Sequence, residues 1–156
     1  MGFMQENSAD GQPHERAEWM RILALSTWDD LEACSAGHVG AGHAVLRAPE
    51  IGLIMLRGRM GGSGAPFNFG EATVTRCAVR LANGLEGHAY VLGRNPHHAR
   101  TAAVCDALLQ DEAQGPAIRR LVIDPLREKL IKKRLATAQK AAATKVDFFT
   151  LVRGDD

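Results

Sequence analysis

The sequence predicts an α+β fold: N-terminal helices, an antiparallel meander of about four strands, a middle helix and a long C-terminal helix. Three observations predict it. Apolar residues recur at helical spacing before residue 36 and after residue 95. The stretch between alternates or is rich in Val, Ile, Leu and Thr. Within that stretch, Asn83-Gly84 separates two alternating runs, a strong hairpin signal because a type I′ turn needs positive φ twice.

Taken in order, residues 1–12 are polar and aperiodic and read as a disordered leader, leaving 13–156 as a single domain. From Glu15 to Leu25 the run ERAEWMRILAL puts Trp19, Ile22, Leu23 and Ser26 near one helical face. Ser26 or Thr27 can cap a second helix whose first turn holds Asp29, Asp30 and Glu32, acids suited to the positive end of a helix. Gly37 and the stretch GHVGAGH stop it. Residues 44–48 and 51–60 then read as two strands about a turn at Pro49-Glu50, and 71–82 and 85–93 as two more about Asn83-Gly84. A two-residue turn at Asn83-Gly84 sets Val79 opposite His88 and Cys77 opposite Tyr90.

Asn95 followed by Pro96 is a cap and first-turn proline for a helix whose buried side is Ala99, Ala102, Ala103, Leu108 and Leu109, with Cys105 at its edge. Gln114-Gly115-Pro116 breaks it, and Asp124-Pro125 starts a helix over 125–144. There Leu126, Leu130, Ile131, Leu135, Ala138 and Ala142 share a broad side opposite Lys129, Lys132, Lys133 and Lys140. The tail VDFFTLVRGD is bulky and apolar. It either packs on its own sheet or docks into another subunit, with Phe148, Phe149 and Arg153 as anchors.

Composition bounds the function. The 156 residues are 46% hydrophobic and 24% charged, ordinary for a soluble domain. No apolar run approaches the ~20 residues of a membrane helix, and the N-terminus lacks the basic and apolar regions of a secretory signal. Three widely spaced cysteines without a CxxC, Cys34, Cys77 and Cys105, suit a reduced, cytoplasmic protein. A net charge of +1 offers no global case for nucleic-acid or membrane binding. A stand-alone nucleic-acid binder using the lysine face also lacks aromatics for stacking, at 5%.

The most unusual segment runs from Arg57 to Arg76 and holds five glycines between 58 and 70. Free backbone N–H groups there can wrap an anion. Arg76 and Arg80 project to one side of the following strand, roughly 13 Å apart, a spacing suited to a triphosphate or a row of partner carboxylates. The plainer reading is a wide connection with arginines on a solvated face. The loop is neither a Walker motif nor a Rossmann fingerprint. Six histidines match no zinc spacing, and His97-His98 diverge by about 100° on a helix. His97 or His98 could contact an anion or simply be solvated. No GxSxG or SxxK marks a nucleophile, and Cys77 reads as core. Arg59, Gly61, Gly62, Ser63, Gly64, Arg76 and Arg80 are therefore the candidate anion-binding or interface residues, with no metal site and no catalytic residue assigned.

The blocks RMGGSGAPFNFGEATVTRCAVRL (59–81), LANGLEGHAYVLGR (81–94) and VDFFTLVRGD (146–155) resemble the G subunit of the bacterial carbon–phosphorus lyase core complex. WMRILA (19–24) and APEIGLIMLRGRMGG (48–62) fit the same order, so the resemblance covers about residues 15–155. It departs in the longer polar leader and at Ala65-Pro66 and Asn68 in the loop. The resemblance implies a role in bacterial phosphonate use. With H, I and L partners, the family supports displacement of adenine from MgATP by methylphosphonate, giving α-D-ribose 1-methylphosphonate 5-triphosphate. A separate radical-SAM subunit later cleaves that product after loss of pyrophosphate. The resemblance further implies a symmetric assembly with H, I and J subunits, nucleosidase-like chemistry in the I subunit, and no assigned catalytic residue in the G subunit. MgATP is then a substrate of the complex, with no cofactor bound by this chain alone. The alternative is a direct active-site contribution, with Arg76, Arg80 and the glycine loop binding triphosphate or phosphonate.

Overall fold

The structure, a computed structural model, describes residues 11–40 and 42–143. The tail residues Phe148, Phe149 and Arg153 lie outside the described residues, as do residues 1–10 of the expected leader. Helix α1 spans Gly11–Leu25 and so begins inside the segment expected to be disordered. Helix α2 spans Trp28–Ser35, with Thr27 as its cap accepting from the Asp30 amide and Gly37 turning the chain away at φ +78°. A three-stranded antiparallel sheet follows, β1 (His43–Arg59), β2 (Pro66–Leu81) and β3 (Glu86–Leu92), in the order β1-β2-β3. Helix α3 (Pro96–Leu109) is capped by the Asn95 side chain, as its sequence predicts. Helix α4 (Gly115–Ile118), a π turn (Arg119–Ile123) and α5 (Asp124–Ala143) then form consecutive helical segments.

The sheet has three strands, not four. Residues 44–48 and 51–60, expected as two strands, form the single long strand β1, and Pro49-Glu50 is not a hairpin turn. The reason lies in position: β1 is an edge strand, and Pro49 falls where the register shifts between Arg47↔Ala78 and Glu50↔Arg76. Proline supplies no N–H, and an edge bulge needs none from it.

The second hairpin also differs from expectation. The Leu81 and Leu85 backbones pair, and the Gly84 amide bonds the Leu81 carbonyl, so three residues make the turn, with Gly84 at φ +89°. A three-residue loop with glycine in the left-handed region is the next most common hairpin solution. The added residue moves the register by one: His88 lies opposite Ala78 and Tyr90 opposite Arg76. Because side chains alternate, that slip exchanges the two faces of β3.

Helices cover one face of the sheet. Cys77, Val79, Ala89 and Val91 from the sheet meet Ala99, Ala103, Val104 and Ala107 of α3, and Trp19, Ile22, Leu23, Leu31, Val122, Ile123 and Leu126 complete the core. Helix α3 is buried on almost every side from His98 to Leu109, so it is the central rod of the domain rather than an amphipathic surface helix. The helical path also runs through Asp124-Pro125 instead of starting there. The preceding π turn, in which the Asp124 amide reaches the Arg119 carbonyl, shifts the hydrogen-bond ladder beside a residue that cannot donate.

Two polar nodes tie the layers together. Thr75 Oγ1 donates to the Gly93 carbonyl at 2.7 Å and accepts from the Asn95 amide at 3.1 Å, fixing the passage from β3 into α3. His98, near the start of α3, donates through Nε2 to the Leu23 carbonyl at 2.8 Å and is buried. That bond gives His98 a structural role in place of an anion contact or a solvated position.

The three thiols are free. Burial pushes the Cys105 thiol up to about 12, with the Asp106 charge adding to it, and burial likewise raises Cys77. Cys34 is half-buried. Since the thiolate is the reactive form, a brief alkylation near pH ~8 should label Cys34 and leave Cys77 and Cys105 intact until unfolding. Peptide mass mapping that finds Cys105 labelled as fast as Cys34 would contradict this core.

Candidate functional site

Two elements leave the body. In the β1–β2 hairpin, β3 accompanies β2 only as far as Val74↔Leu92, and the strands pair only with each other from Ile54↔Ala72 out to Arg59↔Pro66. At its tip Met60–Gly62 form a short 3-10 turn, which Gly61 and Gly62 enter at φ +61° and +80°. The Gly64 amide bonds the Met60 carbonyl at 3.0 Å, and a Cβ on Gly64 would lie 2.8 Å from that same oxygen. Arg59 donates to the Gly64 carbonyl at 3.1 Å, so the arginine closes its own loop. Ser63 follows the turn as its cap residue. The glycines are thus required by a compact turn.

The second projecting element is the outer half of α5. Leu126 is buried and Leu130 packs against the core, but Ile131 and Leu135 are exposed. The broad apolar side expected for this helix therefore meets its own domain over only its first turns. Lys129, expected on a solvated face, is paired with Asp30 of α2 at 2.6 Å.

Arg76 and Arg80 do share one side of β2, on the face that no helix covers. Each already has a carboxylate. Arg76 Nε donates to Glu50 Oε2 at 3.2 Å, and Arg80 Nε donates to Glu86 Oε1 at 3.0 Å. The bond from Arg76 holds the Glu50 carboxyl below its usual range and raises Arg76, and the bond from Arg80 lowers Glu86. Because the folded carboxylates titrate below their unfolded values, this pairing stabilises the fold at neutral pH and is lost as pH falls through those lowered values. Around Arg76 the open face forms a shallow depression of about 380 Å³ with Leu46, Arg47, Ala78, His88 and Tyr90.

The structure does not join the candidate residues into one site. Pro66, which pairs with Arg59, stands roughly 33 Å of strand from Arg76. One small ligand cannot touch both the glycine turn and the Arg76/Arg80 pair of a single chain. Glu50 and Glu86 escaped the sequence reading because strand pairing brings them to the arginines. A three-residue turn at Asn83 would have placed Glu86 opposite Arg80. Among the described residues, no three His, Cys, Asp or Glu side chains come together as a metal-binding group. No described helix is long and apolar enough to cross a membrane.

Residues 14–154 match the family model described as phosphonate metabolism protein PhnG. The chain belongs to this family. It is 43% identical over 152 residues to the alpha-D-ribose 1-methylphosphonate 5-triphosphate synthase subunit PhnG of Rhizobium meliloti (strain 1021), covering 97% of both proteins. The resemblance drawn from the loop and hairpin blocks is therefore correct, and the chain takes part in phosphonate metabolism. The family ties the projecting hairpin and helix to a protein whose relative is a subunit of a larger synthase.

Proposed function

We propose that this chain is a non-catalytic or site-completing subunit of the cytoplasmic complex that makes α-D-ribose 1-methylphosphonate 5-triphosphate from MgATP and methylphosphonate, releasing adenine. Its partners are the H, I, J and L proteins of the carbon–phosphorus lyase system. It holds no cofactor of its own, and MgATP is the substrate of the assembly. The observation that carries this reading is the pair of projecting elements, hairpin and helix, with apolar side chains turned to solvent. An isolated two-stranded hairpin is marginal in water, and such surface suits an obligate subunit. The absence of any assembled acid–base pair or nucleophile in the sequence points the same way.

The direct-contributor reading requires Arg76 or Arg80 to exchange its glutamate for a substrate phosphate. Alanine at both positions separates the two readings. Co-expressed with its H, I and J partners and assayed with the L protein added, the Arg76→Ala/Arg80→Ala chain should form a complex whose KM for MgATP stays within about twofold of the parent. A rise of tenfold or more in KM, with the complex intact, would establish the arginines as substrate ligands and overturn the non-catalytic assignment.

A further inference from the structure

The hairpin arm carries its apolar side chains on both faces. Leu53 is 64% exposed, Met55 56%, Met60 76% and Phe69 59%, and Ile51, Ile54 and Phe67 are also exposed. Taking about 200 Å² for a whole side chain of this size, these seven present on the order of 700 Å². That is above the few hundred Å² of apolar patch ordinary on a monomer and close to the ~800 Å² per partner of a standard interface. Near the tip, Phe67 and Phe69 meet edge to face with centroids 6.2 Å apart, and the Phe69 ring lies against Gly58, where a Cβ would stand 3.1 Å from it. The pair is thus one aromatic cluster at the hairpin tip rather than two separate side chains.

Charge decides what covers it. The arm's one acid, Glu71, lies opposite Met55, and the outer part from Leu56 to Gly70 carries only Arg57 and Arg59. Neither arginine has a carboxylate partner among the described residues. The other projecting element is also basic: from Ile131 to Ala143 it carries Lys132, Lys133, Arg134 and Lys140 and no acid. A second copy of this chain would therefore bring cation to cation at either projection. We infer that the arm is an insertion device for a different subunit of the synthase. Phe67, Phe69 and Met60 enter an apolar groove that closes on both faces of the ribbon, and Arg57 and Arg59 meet an acidic rim. This rests on the subunit reading above and gives it a surface and a partner chemistry.

The test is co-purification of the full chain with co-expressed H, I and J subunits, comparing the parent with Phe67→Ala/Phe69→Ala and Arg57→Glu/Arg59→Glu. Both pairs lie outside the core, so circular dichroism and thermal midpoint should match the parent. The aromatic variant should lose at least about tenfold in captured partner, since such anchors dominate interfaces. The charge-reversed variant should lose a similar amount at low salt. If the parent captures its partners and the aromatic variant does so equally, the arm proposal fails while the subunit reading stands. Equal capture by the charge-reversed variant would overturn the acidic rim. A parent that captures none of them refutes the subunit reading itself. A parent that sediments alone as a dimer, made monomeric by Phe67→Ala/Phe69→Ala, would assign the arm to a second copy and overturn the proposal.

Discussion

Replacing Asp106 by alanine should unfold this domain more readily than any surface change, lowering stability by about 3–5 kcal/mol. Asp106 is completely buried in the last turn of α3, yet both carboxylate oxygens are satisfied. Oδ1 accepts from Trp19 Nε1 at 2.8 Å and Arg16 Nε at 3.2 Å; Oδ2 accepts from Arg16 Nη2 at 2.8 Å and the His88 amide at 2.9 Å. One side chain thus joins α1, β3 and α3. Removing it leaves the indole N–H and a strand amide buried without partners and strips a half-buried guanidinium of its counter-charge. Urea denaturation followed by circular dichroism measures the effect. Asp106→Asn should fall between parent and alanine variant, because the amide keeps one acceptor oxygen but turns a donor toward Arg16. A loss under about 1 kcal/mol for the alanine variant would mean that this cluster does not join the helices to the sheet.

Gly87→Ala should be comparably damaging, by about 3 kcal/mol or more, although it adds one methyl group. A Cβ on Gly87 would stand 1.9 Å from the Ala103 carbonyl oxygen and 2.6 Å from the Ala107 amide nitrogen. Both obstacles are backbone of α3, so no rotamer change relieves them. Gly87 and Ala89 on β3, with Ala103 and Ala107 on the helix, let α3 lie against the sheet at unusually close range. The variant must either lift the central helix or displace β3, and both open the core. The expected result is a large drop in urea midpoint, or a chain that expresses only as insoluble protein. A soluble variant with the parent's midpoint would show that α3 does not sit this close.

Much of this fold was legible beforehand because the signals are local. The caps at Thr27 and Asn95, the buried stripe of Trp19, Ile22 and Leu23, and the strand character of 71–81 each follow from a few neighbouring residues and the period of one element. The errors occurred where partners decide. Pro49 reads as a turn residue in isolation, and only its place on an edge strand lets it sit in a bulge. Asn83-Gly84 permits a two- or a three-residue turn, and the difference of one residue reversed which face of β3 carries His88 and Tyr90. Lys129 reads as solvated until α2 supplies Asp30.

The candidate site divides the same way. The sequence by itself determined the α+β class, the helix caps at Thr27 and Asn95 and the family, because these depend on residue type, spacing and long blocks of characteristic order. Only the tertiary structure decided that Arg76 and Arg80 face Glu50 and Glu86, that the glycine turn stands far out on an arm, and that Asp106 ties three elements together. Those are consequences of pairing register and of burial, at sequence separations from 6 residues for Arg80 and Glu86 to 90 for Arg16 and Asp106. Alternation along one strand states which side chains share a face; what that face meets is set by the other strands and helices.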